Sequence, residues 1–319
     1  MTSARSPLPI TLVIPVRDEA EVLPELFAGL QSQSAKPAEI IFVDTGSADG
    51  SPAAIEKWGL GAAKMGIHSS LVRLAQGYPG AARNEGIRRA SQPWIAFIDA
   101  GITPEDDWLE AIWACRENQG KEAMYGVCRF SAEGLLGRTL CALSYGQGRT
   151  IPVLPASLFR REIFERAGYF EPALRSGEDI LWKRSLAAAG LSIGVCPQAI
   201  VNYRHFPATL GRAARKWYVY ERSAAAAGLG GGARAAVLYG VLLLSVCLPF
   251  LPKICAAGLT LYALARGVID PLRRSGWQPW WGSRPWAILA AIPVAAALDL
   301  SSALGRLEAL LRGSRLERA

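Results

Sequence analysis

Histidine is nearly absent. The 319 residues hold two, His68 and His205, which excludes a zinc site built on several imidazoles. The six cysteines (Cys115, Cys128, Cys141, Cys196, Cys247 and Cys255) never fall as C-x-x-C, so neither a zinc ribbon nor a thioredoxin-like motif is supported. In a chain of this length they are expected to be reduced, buried thiols of a cytosol-facing protein. Charge is sparse as well, 19% of residues against 51% apolar, a balance that excludes disorder and a coiled coil. Acidic residues are scarcest in the last third. After residue 204 there are 5 Asp and Glu against 14 Lys and Arg, whereas residues 1–204 carry 22 against 21. The net charge of +8 therefore sits in the segment that also holds the long apolar runs. That coincidence points to a membrane surface and not to a nucleic-acid groove.

Phosphate loops are missing too. G-L-G-G-G (228–232) has no strand before it and no Lys-Ser/Thr after it, and G-L-G-A-A-K (59–64) ends in Lys64 where the dinucleotide fingerprint needs a small residue. The first reads as a flexible joint.

The apolar runs are long. Ala235–Pro252 is uncharged, Lys253 follows, and Ile254–Ala265 is uncharged again. One helix over 235–265 would be about 46 Å long, more than a ~30 Å hydrocarbon core requires, and Pro249 and Pro252 would interrupt it. The pattern predicts a helical hairpin turning near Pro249–Lys253. A third segment, Pro285–Leu304, carries Asp299 as its one charge. Arg212, Arg215, Lys216, Arg222 and Arg234 before the first run place the preceding region on the cytoplasmic side, and Arg266, Arg273, Arg274 and Arg284 fit a return to it. Two crossings and three are both open. No apolar h-region precedes the first strand, and no signal peptide is expected. The segment Arg212–Arg222 interleaves basic residues with Trp217, Tyr218 and Tyr220, which suits Arg212, Arg215 and Trp217 to a membrane interface or to an acceptor held there.

Before residue 204, short aliphatic runs alternate with helical patterns. Strands are expected at 10–16, 39–44, 69–74 and 94–99, and helices at 20–33, 48–58, 80–90 and 104–116. This alternation implies a doubly wound α/β sheet, in which ligands bind beyond the carboxyl ends of the strands. The residues there are polar: Arg17, Asp18 and Glu19 after the first strand, Asp44, Ser47 and Asp49 after the second, Asp99 after the fourth. Carboxylates converging on one sheet edge want a cation or hydrogen-bond donors such as a nucleobase imide and ribose hydroxyls. For Asp49, helix capping is an equal alternative.

Taken in order, V-I-P-V-R-D-E (13–19), I-F-V-D-T-G-S-A-D-G (41–50), G-A-A-R-N-E-G (80–86), F-I-D-A-G (97–101) and R-S-G-E-D-I-L-W-K-R (175–184) resemble the motifs of family 2 glycosyltransferases over roughly residues 8–225. The resemblance implies a GT-A fold (a Rossmann-like, doubly wound mixed sheet) with C-terminal transmembrane helices. It divides the chain into a catalytic domain (1–204), an interfacial helix and joint (205–232) and a membrane region (233–319). It implies donor-binding roles for Pro15, Arg17, Glu19, Asp44, Ser47, Asp49, Arg83, Asn84, Asp99 and Ala100. Asp179 would be the general base, supported by Glu178. A divalent cation, Mg²⁺ or Mn²⁺, is expected at Asp99 as the first residue of Asp-x-Asp. Gly101 stands at the second acidic position and weakens that site, with His205 as a further ligand to consider. The implied partners are a nucleotide-diphosphate sugar, UDP-sugar favoured, and a glycan or lipid-linked acceptor of envelope or exopolysaccharide synthesis at the cytoplasmic membrane, with no nucleic acid. R-A-A-R-K-W (212–217) departs from the Q-x-x-R-W of processive synthases, which favours transfer of a single sugar. A sugar-nucleotide-binding membrane protein without transfer is the alternative that Gly101 raises. A nucleotidyltransferase would need a Gly-rich loop where this chain has Arg17-Asp18-Glu19.

Overall fold

Leu8–Val16 forms β1, and its Ile10, Leu12, Val13 and Ile14 are all fully buried. Burial of consecutive residues on both faces marks a central strand of a parallel sheet covered by helices. β2 (Pro37–Asp44), β3 (His68–Arg73) and β4 (Trp94–Phe97) join it in parallel through α1 (Leu23–Ser32), α2 (Ser51–Ala62) and α3 (Pro79–Arg89). The computed structural model describes residues 6–229, 239–240 and 243–312. These form two compact units, one from the residues up to Arg129 together with Thr150–Tyr203, the other from Phe130–Arg149 together with the chain from Arg204.

In the first unit the register sets the strand ends level. Val16 lies opposite Asp44, and Asp44 opposite Arg73, so the loops after β1 and β2 emerge side by side. Helix α3 rests directly on β1, where a Cβ on Gly86 would collide with the Val13 side chain. β4 ends at Phe97, and Ile102 N–H closes a turn onto the Asp99 carbonyl at 3.0 Å.

Beyond that turn the sheet becomes mixed. It continues with β5 (Ile102–Pro104), α4 (Trp108–Gln119), β6 (Ala123–Phe130), α5 (Leu135–Ser144), β7 (Thr150–Arg160), α6 (Ile163–Ala167), α7 (Glu178–Ala188) and β8 (Gly194–Tyr203). The eight strands run in the order β3-β2-β1-β4-β7-β6-β8-β5, with the β4–β7, β6–β7 and β5–β8 pairs antiparallel. The helix expected from residue 104 starts instead at Trp108, because Pro104 pairs with Val201 in β5. β5 is an edge strand, where a missing N–H is tolerated.

An aromatic core fixes α7. Trp182 stacks on Phe164 at 5.1 Å and meets Phe159 and Phe170 at 4.9 and 4.6 Å. Its indole N–H donates to the Gly168 carbonyl at 2.7 Å. The first turn of α7 is thereby held against the 168–171 segment. Cys115 on α4 and Cys196 on β8 form a disulfide, Cα–Cα 5.9 Å, which corrects the expectation of six reduced thiols. Cys128, Cys141 and Cys255 are buried and outside any disulfide among the described residues, and burial pushes the Cys141 thiol up to about 12.

The second unit is helical. α8 (Leu210–Ala226) starts at Thr209, whose hydroxyl accepts from Arg212 N–H at 3.2 Å. It lies close against α10 (Ala287–Leu311), where a Cβ on Gly305 would meet the Tyr218 carbonyl. Two ion pairs join the same helices, Arg306–Glu221 at 2.9 Å and Arg222–Glu308 at 3.4 Å. Small residues that let backbones approach are a common feature of apolar helix pairs.

The second apolar run was expected to end at Ala265. It continues as one helix, α9 (Pro252–Arg274), with a π-helical turn over Ala265–Ile269. The charges inside it are paired. Arg266 binds Asp299 through two nitrogens at 2.6 and 2.8 Å and also contacts Asp270, and Tyr262 donates to Asp299 at 2.9 Å. Both α9 and α10 are long and apolar enough to cross a membrane. The chain turns over residues 248–251, and Gly258 of α9 faces Leu244, 2.6 Å from a Cβ built on the glycine. Of the expected first run, Ala235–Pro252, residues 235–238 and 241–242 lie outside the described residues.

Candidate active site

The loop after β1 clasps the loop after β2. Asp18 takes a left-handed backbone conformation, φ 54°, which Asp tolerates better than most residues. Its N–H donates to Ser47 Oγ at 2.9 Å, and its carboxylate accepts from Ala48 N–H at 2.7 Å. Glu19 N–H donates to Ser51 Oγ at 2.9 Å. Asp49 accepts from the N–H groups of Ala20 and Ser51, both at 2.9 Å. Burial alone would raise the Asp49 carboxyl, but these bonds outweigh it and hold the group below the usual carboxylate range. Asp44 is buried, and its carboxylate faces the N–H groups of Gly46 and Ser47 at 3.3 Å. Gly46 has φ 85° and lies against the Ala75 carbonyl, leaving no room for a side chain. Pro15 is half-buried within β1, and Arg17 is exposed and reaches the Gly77 carbonyl at 3.5 Å.

A second cluster centres on Arg83 of α3. Its guanidinium donates to Glu178 Oε1 at 2.6 Å and to Asp99 Oδ1 at 2.8 Å, and it lies 5.8 Å from the Phe170 ring. Arg83 and Glu178 are buried, while Asp99 is 40% exposed. Burial would lower the Arg83 pKa, yet Asp99 and Glu178 overcome it and drive the group further up. Burial pushes the Glu178 carboxyl up, and Arg83 pulls against that shift. Asp179, next along the first turn of α7, is half-buried. Its charge adds to the burial that raises the Tyr125 hydroxyl.

This geometry sorts the expected residues. Arg83, Asp99, Glu178 and Asp179 come together. Arg83 is more buried than a direct contact to a diphosphate would want; it braces the buried Glu178 and the partly exposed Asp99. Asn84 gives its amide to the Phe170 backbone in both directions, at 2.8 and 2.9 Å, and so holds the segment that leads into α7. Ala100 is buried. Asp18 and Ser51 were not singled out as site residues, although S/T/D-rich turns after strands are the signal for such clasps. Asp106, expected at a helix start, accepts from Ser32 Oγ at 2.6 Å.

The fit to a divalent cation is incomplete. Asp99 Oδ1 already takes Arg83, and Gly101 contributes no carboxylate. The nearest atom to a Cβ built on Gly101 is Glu19 Oε2 at 4.0 Å. Among the described residues, no group of three His, Cys, Asp or Glu side chains comes together as a metal site. His205, Arg212, Arg215 and Trp217 belong to the second unit. There Arg212 and Arg215 are exposed, and Trp217 packs on the Leu140–Ala213–Leu298 cluster.

The mixed eight-stranded sheet, with acidic strand ends and a Glu-Asp pair opening a helix, is a GT-A arrangement. Residues 11–168 match the family described as Glycosyl transferase family 2, and this stretch is a domain of that family. Glu178 and Asp179 lie beyond the matched stretch. Among curated relatives, the Pre-mycofactocin glycosyltransferase of Mycobacterium tuberculosis is 30% identical over 214 residues, 61% of this chain and 43% of that protein. Glycosyltransferase AglE of Haloferax volcanii is 28% identical, covering 58% and 63%, and the succinoglycan biosynthesis protein ExoO of Rhizobium meliloti 29%, covering 65% and 63%. The chain thus spans less than two thirds of each of these relatives. Among solved structures, mannosyltransferase PcManGT from Pyrobaculum calidifontis, in complex with GDP-Man and Mn²⁺, superposes with a TM-score of 0.53 at 17% identity, over 93% of this chain and 88% of that one. S. aureus TarS 1–349 in complex with UDP-GlcNAc gives 0.50 at 16% identity, over 92% and 91%. At these identities the likeness establishes the GT-A fold.

Proposed function

We propose that the protein transfers one sugar, with inversion, from a nucleotide-diphosphate sugar to the hydroxyl of a lipid-linked or envelope glycan at the cytoplasmic face of a membrane. The region up to about residue 204 is the catalytic part, residues 205–232 lie at the interface, and the helices from 233 onward form a multi-pass anchor. The observation that carries this reading is the Asp99–Arg83–Glu178 bridge, which sets Asp179 beside the carboxyl end of the sheet.

In this reading Asp44, Ser47 and Asp49, with Pro15, Arg17 and Glu19, receive the nucleoside, uridine in preference. The half-exposed Asp99, with Ala100 behind it, lies towards the sugar diphosphate. Asp179 takes the proton of the acceptor hydroxyl while its oxygen bonds to the anomeric carbon. The bond from that carbon to the phosphate oxygen breaks on the opposite side, and the nucleoside diphosphate leaves with the electron pair. The chain's own cation at this point is Arg83, which compensates the Asp99 and Glu178 charges and so fixes Asp179 in place. A divalent metal, expected of the family, would supply charge compensation to the leaving diphosphate when bound.

Asp179→Asn should cut transfer by about 10²–10⁴-fold while the dissociation constant for the nucleotide sugar stays unchanged. Unaltered turnover at saturating donor would remove Asp179 from the base role. Binding of donor without nucleotide release by the native chain, over a panel of sugar nucleotides with and without Mn²⁺ and a lipid extract, would instead establish the sugar-nucleotide-binding alternative that Gly101 raises.

A further inference from the structure

Between α9 and α10 the chain carries Trp277, Trp280, Trp281 and Trp286 together with Ser283 and Arg284. Within the second unit this stretch closes on the start of α5 around a cavity of about 300 Å³, lined by Glu133, Arg138, Trp280, Trp281, Ser283 and Arg284 among others. The catalytic cluster contributes none of these residues.

Two properties of the cavity point to an anion. First, neither Arg138 nor Arg284 has a carboxylate within ion-pair distance among the described residues, while Arg266, Arg274 and Arg306 of the same unit all do. Arg138 reaches the Trp280 carbonyl only at 3.5 Å. Second, Ser283 adds a hydroxyl donor beside Arg284. Two guanidiniums and a hydroxyl match the oxygens of a phosphate. Glu133 is the one lining carboxylate; it is exposed and opposes an anion.

The place of this stretch in the chain says where such an anion comes from. Residues 275–286 join two helices that are each long enough to span a membrane. With both helices inserted, the cavity lies at headgroup depth. Trp277 and Trp286, 65% and 55% exposed, then occupy the interface that indoles prefer.

We propose that this cavity binds the terminal phosphate of a lipid, with the indoles against the first carbons of its chain. The proposal rests on the membrane reading above. A terminal phosphate, with up to two charges, matches two unpaired guanidiniums better than the single charge of a phosphodiester headgroup.

The test uses the full chain in neutral detergent. Calorimetric titration with farnesyl phosphate should show saturable binding, and farnesol should show none. Arg138→Gln with Arg284→Gln should weaken farnesyl phosphate binding roughly tenfold or more. Arg284→Gln alone, at an exposed side chain, should give a smaller loss in the same direction, and Glu133→Gln should tighten binding. Uridine diphosphate binding, read in parallel, should be unchanged in every variant and so reports an intact fold. Equal binding of farnesol, or native affinity in the double variant, would overturn the proposal. Inorganic phosphate binding as tightly as farnesyl phosphate would assign the cavity to a soluble ligand and overturn the lipid. Loss of farnesyl phosphate binding in phosphatidylcholine discs containing phosphatidylglycerol, but not in phosphatidylcholine alone, would assign it to bulk anionic lipid and overturn the terminal phosphate. If the native chain binds farnesyl phosphate through these arginines but no sugar nucleotide, the transferase reading fails and this one stands.

Discussion

Replacing Arg83 with methionine removes the cation that two carboxylates share. The Glu178 carboxylate, 7% exposed, loses a partner at 2.6 Å, and Asp99, 40% exposed, loses one at 2.8 Å. Breaking a buried ion pair from one side costs roughly 3–5 kcal/mol, and the exposed partner adds about 1 kcal/mol or less. At roughly 2–4 °C per kcal/mol for a domain of this size, Arg83→Met should lower the melting temperature by about 6–24 °C. The melt is followed by intrinsic fluorescence of the detergent-solubilised chain. Removing both charges, Arg83→Met with Glu178→Gln, should restore most of the loss, because a neutral pair of similar volume leaves no buried charge behind. The pH dependence carries a definite sign. Burial already raises the Glu178 carboxyl against the pull of Arg83, so losing Arg83 raises it further. A folded-state pKa above the unfolded value stabilises below the unfolded value and loses that contribution as pH rises through the folded one. The deficit of Arg83→Met should therefore be smaller near about pH 5 than near about pH 8. A melting shift of less than about 3 °C, or a double variant no better than the single one, would refute the bridge as the support of the site.

Three further outcomes are expected. Gly101→Asp adds a carboxylate between Asp99 and Glu19, in space the structure leaves open, so Mn²⁺ should raise its melting temperature more than that of the native chain; an equal response would refute a site there. Alkylation without reductant should spare Cys115 and Cys196, which are bonded, and Cys141, whose thiol is pushed up to about 12. Labelling of Cys115 before reduction would refute the pairing. Gly86→Ala places a methyl against Val13 and should cost roughly 1–3 kcal/mol, read as a lower melting temperature; an unchanged value would mean that α3 can move off β1.

The parallel half of the sheet was legible because its strands are uninterrupted aliphatic runs with polar residues at their carboxyl ends. The antiparallel half was not. β7 contains Pro152 and Pro155, which read as breaks, and β5 is three residues long. Glu178 and Asp179 were legible as a pair opening a helix. The burial of Arg83 was not, because its partners lie 16 and 95 residues away and an arginine in a polar helix reads as a surface residue. The Cys115–Cys196 bond spans 81 residues and follows from how α4 packs on β8, which no spacing rule conveys.

The composition divides the chain cleanly at residue 204, yet the fold does not. The chain leaves the first unit at Phe130, contributes α5 to the second, and returns at Thr150. Leu140 and Leu143 of α5 are buried against Val294 and Leu298 of α10. A fragment stopped at residue 204 would keep α5 and lose what covers it, exposing a greasy helix in the middle of residues 1–204. A form without the apolar tail would thus require rewriting α5 as well as removing α10. Inheritance faces the same restriction: the first unit cannot shed the C-terminal helices by a simple deletion.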